Sequence, residues 1–205
     1  MKTTIAQLID FDGQEVTLNG WVYNLRSIGK IWFLILRDGT GLVQCVVVKA
    51  EIDEAIFNLE NELTQESSVT VTGTVRAEPR SVGGYELGVT NIEVHQIAEE
   101  YPISHKEHGT DFLMNNRHLW LRSKNQHAIL RIRHQVIKAT RDFYDNNGFT
   151  LMDSPILTGN SVEGTSTLFE LDYFDRSAYL TQSGQLYGEA SAMAFGKIYV
   201  FGPTF

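Results

Sequence analysis

The chain has 205 residues, of which 42% are apolar and 20% are charged, with a formal net charge of −8 at pH 7. This composition is typical of a folded globular protein with one large domain or two small ones. The acidic balance argues against non-specific binding of polyanions, because phosphate contacts come from Lys and Arg. Any contact with a polyanion therefore has to be made by a local group of basic residues rather than by the overall charge.

Two absences in the sequence bear on localisation and redox chemistry. No apolar run is long enough to span a membrane, and the N-terminus lacks the apolar segment of a signal peptide, so we expect a cytoplasmic protein without a membrane partner. Cys45 is the single cysteine and lies among valines, which predicts a buried thiol rather than a nucleophile. We expect no disulfide within the chain and no redox cofactor.

The first half of the chain alternates apolar and polar residues with the period of strands. A helical spacing of apolar residues interrupts the pattern once, between the third and fourth strands. Five strands with a helix at this place have the chain order of an OB-fold barrel. The predicted strands are 16–23, 30–37, 41–49, 68–77 and 85–97, and the predicted helix is 51–63.

The second half begins after a mixed, polar segment that we interpret as a linker. Ser123 is the predicted N-cap of a helix, with Gln126 in the capping-box position, and Asn147-Gly148 ends that helix. One side of the helix carries an apolar stripe, made of Ile129, Ile132, Val136, Ala139, Thr140 and Phe143. Beyond it we predict a strand that begins at 149–151 and ends near Pro155, strands at 168–173, 177–181 and 197–201, and a helix at 186–195.

Polar and apolar side chains are mixed closely in residues 180–189. Hydrogen-bonding groups among apolar neighbours suit a small polar ligand, although a strand and a helix start with ordinary capping residues is the alternative interpretation. The polar groups of this segment are Gln182, Ser183, Gln185 and Glu189.

Together these motifs resemble the class II aminoacyl-tRNA synthetases of the asparaginyl, aspartyl and lysyl subgroup, and most closely the asparaginyl enzymes. The helix after Ser123, the strand that follows it and Pro155 are similar to the family's first motif, which forms the dimer interface. Residues 201–205 (FGPTF) are similar to the start of its second motif, and residues 117–122 are similar to its hinge. The resemblance covers nearly the whole chain.

The resemblance implies a domain order. Residues 1–100 would form an all-β OB-fold barrel that binds the anticodon, and 101–122 a linker or hinge. Residues 123–205 would form the first part of an α+β catalytic domain, in which helices pack on an antiparallel sheet. The chain would stop one residue before the family's ATP-binding arginine, so catalytic residues are expected mainly beyond Phe205 and this chain alone is expected to be inactive.

The resemblance also implies a reaction and its substrates. Asparagine, ATP and Mg²⁺ would give an asparaginyl adenylate, and tRNA(Asn) would then accept the asparaginyl group. Glu163 would bind the α-ammonium group of the amino acid, while Ser183 and Gln185 would orient its carboxylate end. Catalysis would consist of positioning and charge stabilisation, with no nucleophilic side chain.

Charge would separate asparagine from aspartate, because the two amino acids have nearly the same shape. In aspartyl relatives a lysine stands where this chain has Gly188, and that cation would pair with the aspartate carboxylate. Glu189 can accept a hydrogen bond from the asparagine side-chain amide and would repel aspartate. An exposed helix glutamate is the alternative for this residue.

Four residues of the barrel match positions that contact the anticodon in the family. Phe33 matches the aromatic residue that stacks on a base, and Arg26, Gln44 and Glu78 match residues that contact base edges. Strand alternation predicts that Trp32 and Leu34 face opposite to Phe33, but it leaves open which side is the core.

The resemblance also predicts a homodimer whose interface includes Ile129, Ile132, Val136 and Pro155. We expect no metal site in the protein itself, because His105 and His108 have no partner cysteines and no carboxylate pair nearby. Two other functions stay open: an aspartyl enzyme of relaxed specificity, and an RNA-binding OB module with a non-catalytic partner domain.

Overall fold

The computed structural model describes residues 1–104, 106–160 and 167–205. It divides into two compact units, Met1–Leu113 and Met114–Phe205. Glu163 and His105, which the sequence analysis singled out, lie outside the described residues. In the described part of the chain, no helix combines the length and the apolar character needed to cross a bilayer.

The first unit is built on a closed five-stranded barrel with the strand order β1-β2-β3-β5-β4. Neighbouring strands pair in antiparallel orientation, except β3 and β5, which pair in parallel. This topology confirms the predicted OB-fold barrel. The strands are β1 (Glu15–Ile28), β2 (Ile31–Arg37), β3 (Leu42–Val48), β4 (Ser68–Ala77) and β5 (Tyr85–Gln96).

Apolar side chains at every second strand position fill the interior of the barrel. In β2, Trp32 and Leu34 are fully buried and Phe33 between them is half-buried, so the three alternate as predicted and Phe33 is on the outer face. Burying one such leucine contributes about 1.5–3 kcal/mol. The same alternation puts Cys45 of β3 in the core, and burial raises the pKa of its thiol, which fits the predicted inert cysteine.

The connection between β3 and β4 differs from the predicted helix over 51–63. It contains only α1 (Glu54–Phe57) and a 3-10 turn at Asn58–Asn61. Asparagines favour turns over helix interiors, because their side chains compete for backbone hydrogen bonds. The apolar spacing that predicted a longer helix instead serves packing, since Phe57 and Leu63 are both buried in the barrel core.

Two short helices lie in the segment interpreted as a polar linker: α2 (Thr110–Asn115) and α3 (Arg117–Trp120). Apolar periodicity does not predict them, because neither helix is long enough to show an apolar period. A 3-10 turn at Ile5–Phe11, which precedes β1 and buries Leu8, was missed for the same reason.

The second unit begins with the long helix α4 (Lys124–Asn146). Ser123 is its N-cap, and the Ser123 hydroxyl oxygen accepts a hydrogen bond from the Gln126 backbone nitrogen at 3.4 Å. Gly148 follows the helix in the left-handed region at φ 76°, which glycine adopts without strain. Both predicted ends of this helix are confirmed.

Two small sheets follow α4. The predicted antiparallel sheet is correct for the order β7-β9-β8, but β10 and β6 pair in parallel. A parallel pair requires a long crossover connection, which local sequence patterns do not reveal. The elements are β6 (Thr150–Leu151), β7 (Leu157–Thr158), β8 (Glu170–Tyr173), β9 (Arg176–Leu180), α5 (Gln185–Phe195) and β10 (Ile198–Tyr199).

Aromatic packing fixes the end of α4 against β10. The Tyr144 ring stacks on the Tyr199 ring with a centroid distance of 4.7 Å and meets the Phe149 ring edge-on at 5.3 Å. The Tyr199 hydroxyl donates a hydrogen bond to Asp145 Oδ1 at 3.0 Å. Burial, and then this bond to a carboxylate, raise the pKa of Tyr199. These contacts fix Tyr199, the last residue of β10, against the end of α4, and so fix the point from which the chain continues.

Candidate functional site

An open cavity of about 600 Å³ lies in the second unit, where β9 leads into α5 and β10 leads into the last residues of the chain. Its size is within the usual range for small-molecule sites. Thirteen residues line it: Gln182, Ser183, Gly184, Gln185, Gly188, Glu189, Ala192, Ile198, Tyr199, Val200, Phe201, Gly202 and Thr204.

A tight turn builds the entry into α5. The Thr181 hydroxyl donates to the Ser183 carbonyl oxygen at 2.6 Å, and the Ser183 hydroxyl accepts from the Gln185 backbone nitrogen at 3.1 Å. A Cβ on Gly184 would lie 2.8 Å from both Ser154 Oγ and Val200 Cγ1, so a larger residue would force these side chains to shift. The polar side chains of residues 182–185 are consequently presented at the cavity wall.

The first turn of α5 places an amide beside a carboxylate. Gln185 Nε2 donates a hydrogen bond to Glu189 Oε1 at 3.1 Å, and both residues line the cavity. A carboxylate has about four acceptor positions, so this bond leaves Glu189 able to accept from a ligand. Glu189 is exposed by its accessible surface, and the hydrogen bond directs it along the cavity wall.

Gly188 leaves room in the wall of this cavity. The residue is buried, and a Cβ built on it would meet only Ile198 Cδ1, at an ordinary contact distance of 3.6 Å. The surroundings therefore accommodate a Cβ at position 188, and its absence leaves that space open to a ligand.

The structure brings together three of the four predicted substrate-binding residues. Ser183, Gln185 and Glu189 share the cavity, while Glu163 lies outside the described residues. The sequence analysis did not identify Ile198, Val200 and Thr204 as part of the wall. They reach it through the β10–β6 pairing and a bond from the Phe205 backbone nitrogen to the Thr181 carbonyl oxygen at 3.0 Å, and no local motif signals either contact.

Over residues 1–104, 106–160 and 167–205, no group of three or more His, Cys, Asp and Glu side chains could hold a metal ion. His108 has other contacts. Its Nε2 accepts a hydrogen bond from the Ser104 backbone nitrogen at 3.1 Å, and its ring stacks on Phe112 at a centroid distance of 4.8 Å.

A second candidate site lies on the outer face of the barrel, where β1, β2 and β3 are neighbours. Arg26 pairs with Phe33 across β1 and β2, and its guanidinium carbon lies 4.6 Å from the centre of the Phe33 ring. Arg26 Nη2 also donates to Gln44 Oε1 at 2.7 Å. Gln44 Nε2 donates to Glu86 Oε2 at 3.4 Å on β5. The structure thus joins three of the four predicted anticodon-binding residues in one network.

Glu78, the fourth of these residues, lies beside the network in the loop between β4 and β5. Its Oε1 accepts hydrogen bonds from Arg80 Nε at 3.0 Å and from the Arg80 backbone nitrogen at 3.1 Å. These bonds lower the pKa of the Glu78 carboxyl, the side-chain bond most strongly. Ser81 connects the two groups, because its backbone nitrogen donates to the Glu78 carbonyl oxygen and its hydroxyl accepts from Gln44 Nε2 at 3.5 Å.

The apolar stripe of α4 is exposed. Ile132 and Val136 keep 64% and 58% of their accessible surface, and Ile129 and Phe143 are similarly exposed. Thr140, which the prediction included in the stripe, is half-buried and donates from Oγ1 to the Val136 carbonyl oxygen. Pro155 is also exposed.

Two family models match the chain. Residues 16–94 match the OB-fold nucleic acid binding domain, and residues 109–205 match the class II tRNA synthetases (D, K and N). The two matches coincide with the barrel and with the segment that carries the cavity.

Similar proteins come from bacteria, archaea and eukaryotes. The asparagine–tRNA ligase of Desulforamulus reducens is 62% identical over 203 residues, which are 99% of this chain and 47% of that protein. The chain therefore spans about half the length of the curated relative it matches.

Among solved structures, the asparaginyl-tRNA synthetase of Pyrococcus horikoshii in complex with asparaginyl-adenylate superposes with a TM-score of 0.92 at 39% identity. That match covers 100% of this chain and 48% of the other. The Entamoeba histolytica asparaginyl-tRNA synthetase in complex with asparaginyl-adenylate has a TM-score of 0.82 at 30% identity, covering 98% of this chain and 47% of the other.

Proposed function

We propose that the chain supplies the tRNA-binding and amino-acid-binding parts of an asparagine–tRNA ligase. The premise is that residues 16–94 are an OB-fold nucleic acid binding domain and that residues 109–205 belong to the class II tRNA synthetases (D, K and N). The observation that carries the proposal is the cavity in which Gln185 and Glu189 are hydrogen-bonded beside Gly188. The 62% identity to the asparagine–tRNA ligase of D. reducens supports it.

The proposed reaction has two steps. The carboxylate oxygen of asparagine attacks the α-phosphorus of ATP, forming asparaginyl adenylate and releasing pyrophosphate. A ribose hydroxyl at the end of tRNA(Asn) then attacks the activated carbonyl carbon, and AMP leaves. Holding the reactants in line is the main contribution of this chain, since neither step needs a protein nucleophile. We place the reaction in the cytoplasm.

Mg²⁺ would neutralise the phosphate charge of ATP when bound. The described residues hold no cluster of carboxylates suited to it, so the proposal assigns its ligands to the part of the enzyme that this chain does not include. What this chain provides is the amino-acid end of the site. Ser183 and Gln185 orient the carboxylate of asparagine, and Glu163 binds its α-ammonium group.

Selectivity for asparagine follows in this proposal from the charge of the cavity wall. Glu189 accepts a hydrogen bond from the asparagine side-chain amide, whereas the carboxylate of aspartate would face a like charge there. Sites that hydrogen-bond a substrate group reject the analogue lacking it by about 10⁴ or more. The absence of a side chain at Gly188 leaves aspartate without a cation to pair with.

The first test uses a hybrid enzyme, in which the part of the D. reducens relative that this chain does not match follows Phe205. Amino-acid-dependent exchange of pyrophosphate into ATP is measured with asparagine and with aspartate. We expect exchange with asparagine alone. Equal use of aspartate would favour an aspartyl enzyme of relaxed specificity, and RNA binding without exchange would favour a non-catalytic OB module.

The second test changes position 188 in the hybrid enzyme. Gly188→Lys adds a cation to the cavity wall and is expected to raise aspartate use relative to asparagine. Gly188→Ala is the matched control, because it fills the same position without charge and its Cβ meets only Ile198 at 3.6 Å. Aspartate use that rises equally in both variants would remove the electrostatic explanation.

For the barrel we propose binding of the tRNA anticodon. Phe33 offers a stacking surface on the outer face, beside Arg26, and the network that continues from Arg26 to Gln44 and on to the loop of Glu78 supplies donors and acceptors that can read an unpaired base edge. Affinity for a tRNA(Asn) transcript should fall in Phe33→Ala, and an unchanged dissociation constant would contradict this role.

We further propose that the complete enzyme is a homodimer that covers the exposed stripe of α4. An exposed row of isoleucine, valine and phenylalanine is unfavourable in water and typical of a surface that a partner buries. In a two-fold dimer the same patch serves both subunits, which suits a stripe carried by one long helix. Pro155, which is exposed and follows α4 and β6 in the segment similar to the family's first motif, belongs to the proposed interface.

A further inference from the structure

Arg76 lies flat against the backbone of Gly88 on the outer face of the barrel. A Cβ built on Gly88 would lie 2.9 Å from both the guanidinium carbon Cζ and Nη2 of Arg76, and 3.1 Å from its Nε. A guanidinium that approached edge-on would bring its nitrogens closer than its central carbon, so these three distances show that the plane of the group faces Gly88. The opposite face of the plane is turned away from the sheet, and Arg76 is exposed.

Gly88 makes this approach possible. The residue is buried in β5, where it pairs with Thr74 of β4. Glycine weakens a strand interior and often marks a place where another group comes close to the backbone. A side chain at position 88 would push the guanidinium away from the sheet, because the contact leaves no room for a Cβ. The flat position of Arg76 therefore depends on a glycine that is unfavourable for the strand itself.

The strand register places Gly88 in the same row as the proposed base-stacking residue. Phe33 of β2 pairs with Val46 of β3, and Val46 pairs with Gly88 of β5. Residues directly opposite each other project from the same face of a sheet, so this row lies on the outer face with Phe33. Neighbouring strands are about 4.8 Å apart, and Phe33 and Gly88 are therefore separated by about 10 Å.

We propose that the guanidinium plane of Arg76, supported by Gly88, is a second base platform beside Phe33, and that it stacks a different unpaired base of the same anticodon loop. This inference rests on the proposed anticodon function and extends it from one stacked base to two. Guanidinium planes stack on nucleic acid bases as aromatic rings do, and the positive charge is attracted to the π face of the base.

The separation of the two platforms determines which RNA they fit. Bases that stay stacked along a strand are about 3.4 Å apart, so one stacked pair cannot reach two surfaces about 10 Å apart. A loop whose bases are splayed out of the stack can reach both, and such loops are the usual targets of sequence-specific RNA recognition. Gln44 lies two positions before Val46 on the same face of β3, so the residue proposed to read a base edge is beside the row.

The test uses an RNA hairpin that copies the anticodon arm of tRNA(Asn), and its binding to the 205-residue chain is measured by fluorescence anisotropy. Arg76→Lys keeps the charge but removes the plane. We expect its dissociation constant to rise about twofold to fivefold, with an unchanged salt dependence. Gly88→Ala keeps Arg76 but fills the position beneath it, and should weaken binding in the same way. Arg133→Lys is the matched control, because Arg133 is exposed on α4 of the second unit.

Hairpins that lack the base of one loop nucleotide at a time identify the partner of each platform. The loss caused by Arg76→Lys should disappear with one abasic position, and the loss caused by Phe33→Ala should disappear with another. Such cycles locate the contact, because two changes couple energetically when the groups that they remove touch each other.

Three results would disprove the second platform. If Arg76→Lys binds as the unmodified chain does and only Arg76→Ala binds more weakly, Arg76 is a phosphate contact. If Arg76→Lys lowers the free energy of unfolding but not the affinity, the side chain only covers Gly88. If one abasic position abolishes both losses, Phe33 and Arg76 serve a single base. The proposed anticodon function itself fails if Phe33→Ala leaves the affinity unchanged with the intact hairpin.

Discussion

Gln185 and Glu189 are joined by a hydrogen bond of 3.1 Å, from the amide nitrogen Nε2 of one to the carboxylate oxygen Oε1 of the other. The two residues are four positions apart at the start of α5, a spacing that puts both on one side of the helix. The bond orients both side chains before a ligand arrives, and such preorganisation lowers the entropic cost of binding.

The first prediction concerns Glu189→Gln in the hybrid enzyme. The variant keeps the shape of the side chain but replaces a charged acceptor with a neutral one. A hydrogen bond to a charged group contributes about 1.5–3 kcal/mol and one between neutral groups about 0.5–1.5 kcal/mol, so kcat/KM for asparagine should fall by about 5- to 10-fold. Discrimination against aspartate should fall as well, because the repelling charge is lost. Pyrophosphate exchange with each amino acid measures both quantities.

Glu51→Gln is the control for this variant, since Glu51 is an exposed glutamate of the first unit and its neutralisation should leave exchange unchanged. A Glu189→Gln enzyme that keeps the original preference for asparagine over aspartate would contradict the role proposed for the carboxylate.

Local patterns predicted the parts of the fold that local interactions determine. The N-cap at Ser123, the helix end before Gly148 and the alternation around Phe33 all depend on neighbours a few residues away. The helix predicted over 51–63 is confirmed only in part, as α1 and the 3-10 turn after it, because its apolar residues are spaced to pack on the barrel core. The parallel pairing of β6 with β10 depends on a distant strand, and nothing near either strand encodes it.

The candidate site also has one part that depends on residues close in the sequence and one part that depends on distant residues. Ser183, Gln185 and Glu189 are close together in the sequence, so a helix start alone brings them to one surface. The opposite wall includes Val200 and Thr204, which reach the cavity only because the chain after β10 packs against Gly184 and returns to Thr181. Tertiary contacts of this kind leave no periodic signal.

The second prediction compares two neighbours in β2. Leu34 is fully buried in the barrel, so Leu34→Ala should lower the free energy of unfolding by about 2–5 kcal/mol. Phe33 lies on the outer face, and Phe33→Ala should cost much less stability while it weakens tRNA binding. Urea unfolding and titration with tRNA(Asn) give the two measurements. A Phe33→Ala loss as large as that of Leu34→Ala would mean that Phe33 belongs to the core.

The third prediction concerns the dimer. Ile132→Asp introduces a charge at the centre of the exposed stripe of α4, where burial in an interface would leave it unpaired. We expect the hybrid enzyme to shift from dimer to monomer in sedimentation velocity. Ile28→Asp is the control, because Ile28 is 69% exposed at the end of β1 and lies outside the proposed interface. An equally dimeric Ile132→Asp enzyme would exclude α4 from the contact.

The fourth prediction concerns Cys45. Burial raises the pKa of its thiol, and a thiol reacts as the thiolate, so a disulfide reagent at pH 8 should modify the native chain far more slowly than the chain in concentrated guanidinium chloride. Cys45→Ser places a hydroxyl in the same apolar site and should lower the free energy of unfolding by about 1–3 kcal/mol. Rapid modification of the native chain would show that β3 opens locally.

The fifth prediction is a pH dependence that arises at Tyr199. Burial, and then the hydrogen bond to Asp145, raise the pKa of Tyr199 above the value of about 10 that tyrosine has in an unfolded chain. The folded state therefore holds this proton more tightly than the unfolded state. The stabilisation is fully present below pH 10 and is lost as the pH rises through the higher folded-state pKa.

Tyr199→Phe removes the titrating group and keeps the stacked ring on Tyr144, so it isolates this contribution. At pH 8 the variant should melt at a lower temperature than the unmodified chain, because the Asp145 carboxylate loses its donor. Above pH 10 the two melting temperatures should converge, because only the unmodified chain can lose the Tyr199 hydroxyl proton and, with it, the hydrogen bond to Asp145. Melting curves that stay parallel from pH 8 to beyond pH 10 would show that the hydroxyl does not couple folding to this titration.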